Sequence, residues 1–158
     1  MVMASSPVAY FRLNETSGTS AANIGSGAAN GTYTGSPTLG VAGPRPSAFG
    51  GYETNNNAVQ FNGSSAYVAG PAGLLNARSA FTVAGWVNPS ATPGSRIGLF
   101  GQNDCLEFGF ISGMTIELWT PGGGSMQVAY PFPINTWHYV VAVADGSKLG
   151  KKGLSRFG

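Results

Sequence analysis

The residues of this chain that could do chemistry are six carboxylates, one histidine and one cysteine. Hydrolysis of a glycosidic bond needs two carboxyl groups roughly 5–9.5 Å apart, one to give a proton and one to act as base or nucleophile. Side chains on a strand share a face at every second position, so such a pair would show as acids two or four residues apart. No such spacing exists. Asp104 and Glu107 are three apart, and Glu117 is alone on its segment. Catalysis is therefore not expected. His138 has no Ser or Cys nucleophile near it and sits in the apolar run Trp137–Val141, where a packed sheet histidine is the simpler reading. Cys105 follows Gln102-Asn103-Asp104 with no adjacent Lys, Arg or His to favour a thiolate. It reads as a small strand-end residue, and as the single cysteine it can form no intramolecular disulfide.

Binding is the other chemistry available. A glycan site normally offers an exposed aromatic platform with polar neighbours. Trp119, beside the Pro121–Gly124 loop and followed by Tyr130 and Phe132, is the candidate. Two readings of Trp119 stay open, a platform or a core residue. Trp86 and Trp137 are assigned to the core, because their segments are apolar on both faces. Asn14, Asn30 and Asn62 each begin an Asn-x-Ser/Thr triplet. Two of these are Asn-Gly turns, which turn chemistry explains without attached glycans.

These residues must be positioned by strands. No helical period persists over 11 residues, whereas short apolar or alternating runs recur and end in turn residues. Charged residues make up 9% of the chain, far below the roughly 25% of a typical domain. Ser, Thr, Asn and 25 glycines carry the polarity instead, which suits tight turns between short strands. Expected strands are 8–13, one short strand around Tyr33, 58–62, 66–69, 81–87, 97–101, 106–111, 115–119, 126–130 and 137–144. On 81–87, Phe81, Val83 and Val87 face one way, Ala84 and Trp86 the other. Residues 14–57 read mostly as loop, unusually long for a compact domain. The expected architecture is an all-β, two-sheet sandwich.

The net charge of +2 comes from the end of the chain. Residues 1–147 carry four basic and six acidic side chains, while Lys148, Lys151, Lys152 and Arg156 follow without an acid. Nucleic-acid binding is thus not read from the charge. No apolar run approaches the ~18 residues that would span a bilayer, and no secretory signal is seen at the N-terminus. No membrane insertion is expected.

Five segments together resemble the laminin G-like, concanavalin A-like family. Tyr10-Phe11-Arg12-Leu13-Asn14-Glu15-Thr16-Ser17-Gly18-Thr19 is similar to its opening Y-W-R-L-D-E-T-S-G-T. Ala28-Ala29-Asn30-Gly31-Thr32-Tyr33 resembles its G-N-x-G-T-Y turn. Ala58-Val59-Gln60-Phe61-Asn62-Gly63-Ser64 resembles A-V-x-F-D-G-S, and Phe81-Thr82-Val83-Ala84-Gly85-Trp86-Val87 resembles F-T-I-S-A-W-V. Trp137-His138-Tyr139-Val140-Val141 resembles W-H-H-V-A, with Asp145-Gly146-Ser147 as its usual end. The resemblance implies an antiparallel jelly roll over residues 1–147, incomplete at the C-terminus, with 148–158 as a basic tail outside the family fold. The family's Y-V-N-G hairpin and closing strands have no counterpart after Ser147. An open edge would then invite another subunit to complete the sheet. Glycanases of this fold carry E-x-D-x-E on one strand, which is absent here. Relatives often place an Asp near Asn23, so calcium at Asn23 or at loop carbonyls is an expectation, with no other cofactor. The resemblance implies a non-catalytic module binding a glycan or protein surface. The setting expected is a bacteriophage tail or capsid surface, and the alternative is a carbohydrate-binding module of a secreted bacterial protein.

Overall fold

The computed structural model describes residues 2–27 and 29–146. The expected basic tail, 148–158, lies outside the described residues. Among them the regular structure is antiparallel β, eleven strands with one short 3-10 turn at Val2–Ser5. The chain divides into two compact units, Met1–Leu74 and Leu75–Gly158.

The first unit holds β1 (Ser20–Ala21), β2 (Gly31–Thr34), β3 (Thr38–Ala42), β4 (Asn57–Gln60) and β5 (Tyr67–Ala69). They form a sheet in the order β1-β2-β5 and a ribbon β3-β4. Polar side chains tie the unit together. The Tyr33 hydroxyl donates to Glu15 Oε2 at 2.6 Å, and the Ala22 N–H donates to Oε1 at 2.8 Å. Burial alone would push the Glu15 carboxyl up, but these bonds outweigh it and hold it below the usual carboxylate range. Burial, then the bond to Glu15 and its charge, push the Tyr33 phenol up. The long connection between β3 and β4 is fastened by buried Asn56. Its Nδ2 donates to Pro44 O at 3.0 Å, its Oδ1 accepts from Arg12, and its carbonyl accepts from Arg45 Nε at 2.7 Å.

The second unit holds β6 (Ala80–Val87), β7 (Ile97–Gln102), β8 (Leu106–Ser112), β9 (Thr115–Thr120), β10 (Gly124–Ala129) and β11 (His138–Asp145). A four-stranded sheet runs β10-β9-β8-β7, and a ribbon pairs β11 with β6. Alternation sends Leu106, Phe108 and Phe110 of β8, and Ile116 and Leu118 of β9, to one side of the sheet. There they meet Val87, Val140 and Ala142 of the ribbon, with Tyr130 among them. Burying each large apolar side chain stabilises by about 1.5–3 kcal/mol. Gly85 lets the two layers close. A Cβ there would overlap the Phe100 ring, and the family motif has Ala at this place. Gly109 serves the same end within the sheet, since its Cβ would strike the Ile97 carbonyl beside the bulge between Gly98 and Phe100.

The expected strands from residue 58 onward are present with ends shifted by one or two residues. The face assignment of 81–87 holds, with Phe81, Val83 and Val87 toward the core. The expected strand 8–13 is not formed. Only Phe11 makes a bridge, to Asn23. Leu13 takes a left-handed φ of 55°, and the Tyr10 N–H donates to the Asn23 side chain instead of to a ladder. β1 and β3 lie in the stretch read as loop. β3 contains Gly40 with φ 72° at a bulge, which breaks the alternation. Trp86 and Trp137 are half-buried and not in the core. Trp86 alternates with Gly85 and Val87, so it points away from the core and packs on Tyr139 at 5.6 Å.

Tyr130 is 2% exposed, and its hydroxyl has no hydrogen-bond partner among the described residues. Burial pushes its phenol up to about 12. A buried hydroxyl without a partner costs about 1–3 kcal/mol. Tyr130→Phe should therefore raise the melting temperature, by ~2–4 °C per kcal/mol recovered. A lower melting temperature by calorimetry would show that the hydroxyl has a partner.

Candidate functional site

The side of the β7–β10 sheet away from the core carries the chemistry. Register sets two rows across it. One runs Gly101, Glu107, Trp119, Ser125, and the next Gly98, Gly109, Glu117, Gln127. Trp119 is half-buried, with Glu107 and Ser125 on its flanks. Arg96, just before β7, reaches both acids. Its Nη1 lies 2.6 Å from Glu107 Oε2 and its Nη2 2.7 Å from Glu117 Oε1. The two glycines of the second row put no side chain between them.

Glu117 is 7% exposed and completely engaged. Its Oε2 accepts from Ser125 Oγ and from Gln127 Nε2 at 2.8 Å. The Ser125 bond is the largest influence on its carboxyl. Burial opposes it, but Gln127 and Arg96 add to it, and the net effect is a carboxyl below the usual range. The Asp104 N–H donates to Glu107 Oε1 at 3.3 Å. Two carboxylates that the sequence separates by ten positions are thus joined through one guanidinium. Reading each strand alone missed this, because cross-strand register is not written in the spacing. A general acid must hold its proton near neutral pH, which requires a raised pKa. Glu117 is shifted the other way, so the pair is built as an ion-pair bridge.

Trp119 is the one expected ligand residue on this face. Tyr130 and Phe132 are on the core side, so the three do not meet. Tyr130 packs edge-on to Phe110 at 5.3 Å and to Phe132 at 5.0 Å, and Phe132 stacks on His138 at 4.0 Å. The reason is parity, since Tyr130 continues β10 one residue past outward-facing Ala129. His138 also bonds Thr136 Oγ1 through Nε2 at 2.8 Å. Cys105 is half-buried, accepting from Gln102 Nε2 at 3.2 Å. A cleft of about 460 Å³ at one end of this unit is lined by Arg78, Phe81, Asp104, Cys105 and the Pro121–Gly123 loop.

Asn23 does not fit a calcium ion. Its Oδ1 accepts the N–H groups of Tyr10 at 2.8 Å and Gly25 at 2.9 Å, which occupies both lone pairs. Among the described residues no three His, Cys, Asp or Glu side chains gather where they could hold a metal. Asn30 and Asn62 act in turns. Asn30 Oδ1 accepts from Asn23 N, and Asn62 Oδ1 accepts from the N–H groups of Ser64, Ser65 and Ala66.

The Glu117 network makes stability depend on pH. Its folded pKa lies below its unfolded value, so its contribution is complete above the ordinary carboxylate range and is lost as pH falls through the folded value. Melting temperature should drop on acidification below about pH 4.5. Glu117→Gln should lower stability at neutral pH by on the order of 1–3 kcal/mol, and flatten the acid limb. An unchanged acid limb in thermal melts would refute this role.

Residues 62–151, more than half of the chain, match the concanavalin A-like lectin/glucanases superfamily. The first two sequence motifs precede the matched stretch, and β5 to β11 fall within it. No curated protein and no solved structure matches the chain significantly. With its antiparallel layers and this match, the chain belongs to the laminin G-like family of the concanavalin A-like lectin/glucanase superfamily.

Proposed function

We propose that this chain is a non-catalytic binding module that holds a glycan against the outer face of the β7–β10 sheet. The observation that carries this reading is Trp119, set between Glu107 and Ser125 on a face whose polar side chains are already fixed. An indole offers a flat apolar surface with a polar edge, which suits the apolar face of a pyranose. Glu107, Gln127, Ser125 and Arg96 supply acceptors and donors around it. Because Arg96 and Glu117 hold these groups in place, little side-chain freedom is lost on binding. The same network holds the Glu117 carboxyl below the usual range, which supports binding over hydrolysis.

The family supports glycan or protein binding in general. The setting we propose is adhesion at a bacteriophage tail or capsid surface, with a secreted bacterial carbohydrate-binding protein as the alternative. Both place the module on a virion or outside the cell, and both need this face. Neither setting draws on calcium at Asn23, whose side-chain oxygen is committed to the backbone.

A glycan array followed by calorimetric titration tests the reading. Trp119→Ala should weaken binding by at least ~2 kcal/mol, about 30-fold, as aromatic anchors do. Tyr130→Phe should leave affinity unchanged, and so should EDTA. A Trp119→Ala protein that binds like the wild type would overturn the site. No hit for the wild type at high concentration would overturn glycan binding, and loss of binding in EDTA would restore calcium.

A further inference from the structure

The two edges of the β7–β10 sheet are built differently. On β7 the ladder with β8 is broken by a bulge between Gly98 and Phe100, and Arg96 stands at its start. β10 has no such device. It pairs with β9 without a break from Gly124 to Ala129, and it contains neither a charge nor a proline. Five of its six residues are exposed, Val128 at 41%. Among the described residues no strand pairs with its outer side. An edge strand presents a row of N–H and C=O groups ready to pair, and folded chains usually blunt it with charge, proline or a bulge.

We propose that β10 is a self-association edge, pairing antiparallel with β10 of a second copy about a two-fold axis. The strand's own pattern selects that partner. Met126 and Val128 point to the core side, and Ser125, Gln127 and Ala129 to the outer side. Residues directly opposite in an antiparallel pair point to the same side, so register must match face to face. A two-fold axis through Gln127, perpendicular to the sheet, does this by symmetry. It sets Met126 of one copy opposite Val128 of the other and Gln127 opposite itself. No like charges meet, because the strand has none. The product is one eight-stranded sheet with an isologous seam.

Such a sheet carries two Trp119 faces side by side. That consequence rests on the proposed binding function, while the pairing itself does not. Two linked weak sites would bind a repetitive surface with an avidity of ~10²–10⁴ over one.

Sedimentation velocity and light scattering on the full chain without ligand test the pairing. The wild type should go from monomer to dimer as concentration rises through the micromolar range. Val128→Lys should stay monomeric with unchanged circular dichroism and melting temperature, whereas uncharged, β-branched Val128→Thr should still dimerise. Should Val128→Lys fail to fold, Ala129→Lys on the other side of the same edge replaces it. A monomeric wild type, or a dimer that persists in the lysine variant, overturns the proposal. Glycan binding does not enter the readout, so the failure of one reading is distinguishable from the failure of the other.

Discussion

The register between β8, β9 and β10 is the constraint on which the second unit depends. It places Glu107 opposite Trp119, and Glu117 between Gly109 and Gln127. A slip of one residue would turn Leu118 and Ile116 to water and bring Glu117 and Trp119 into the core. The cost on the core side is what makes the outer face reliable. Five buried side chains of β8 and β9, packed on Val87, Val140 and Ala142, therefore decide where the polar network stands. Beyond Phe110 a bulge shifts the pairing by one residue, so that Ser112 meets Thr115 across the Gly113 turn, where φ is 51°.

Within that frame Arg96 does two things at once. It neutralises the repulsion between two acids brought onto one face, and it spends both in doing so. An exposed ion pair contributes little to stability, and Arg96 is about half exposed. Glu117 is not exposed, and its further bonds to Ser125 and Gln127 make it the better anchored end. The network is thus a rigid polar patch held at its buried end. Rigidity of this kind would suit the proposed recognition role, whereas proton transfer needs a carboxyl whose pKa stands near working pH.

Local pattern was enough to find the strands from residue 58 onward, because each is short, apolar on at least one side and closed by Asn-Gly, Gly-rich or Asn-Pro turns. Before that point it was not enough. Val8–Leu13 has the composition of a strand, but Asn23 takes the Tyr10 N–H and Leu13 turns left-handed. Thr38–Ala42 has an interrupted alternation because Gly40 sits at a bulge. The site was half legible. Trp119 could be singled out by type and loop context, but its partners come from three other segments and are united only by register. Tyr130 and Phe132 are near it in sequence yet on the opposite side, since parity along a strand outweighs proximity in the chain.

The scarcity of charge links these features. With 9% charged residues, the chain has few lysines or acids to spend on guarding strand edges. The second unit commits Arg96, Glu107 and Glu117 to one network on the outer face. β7 is interrupted by a backbone bulge in place of a charge, and Gly109 gives that bulge room. β10 has neither, and its outward residues Ser125 and Gln127 point toward Glu117. The polar side chains that complete the outer-face network are therefore the ones that would otherwise be free to become charged gatekeepers. A face that gathers the sheet's few charges into one network and an edge left without any follow from the same composition.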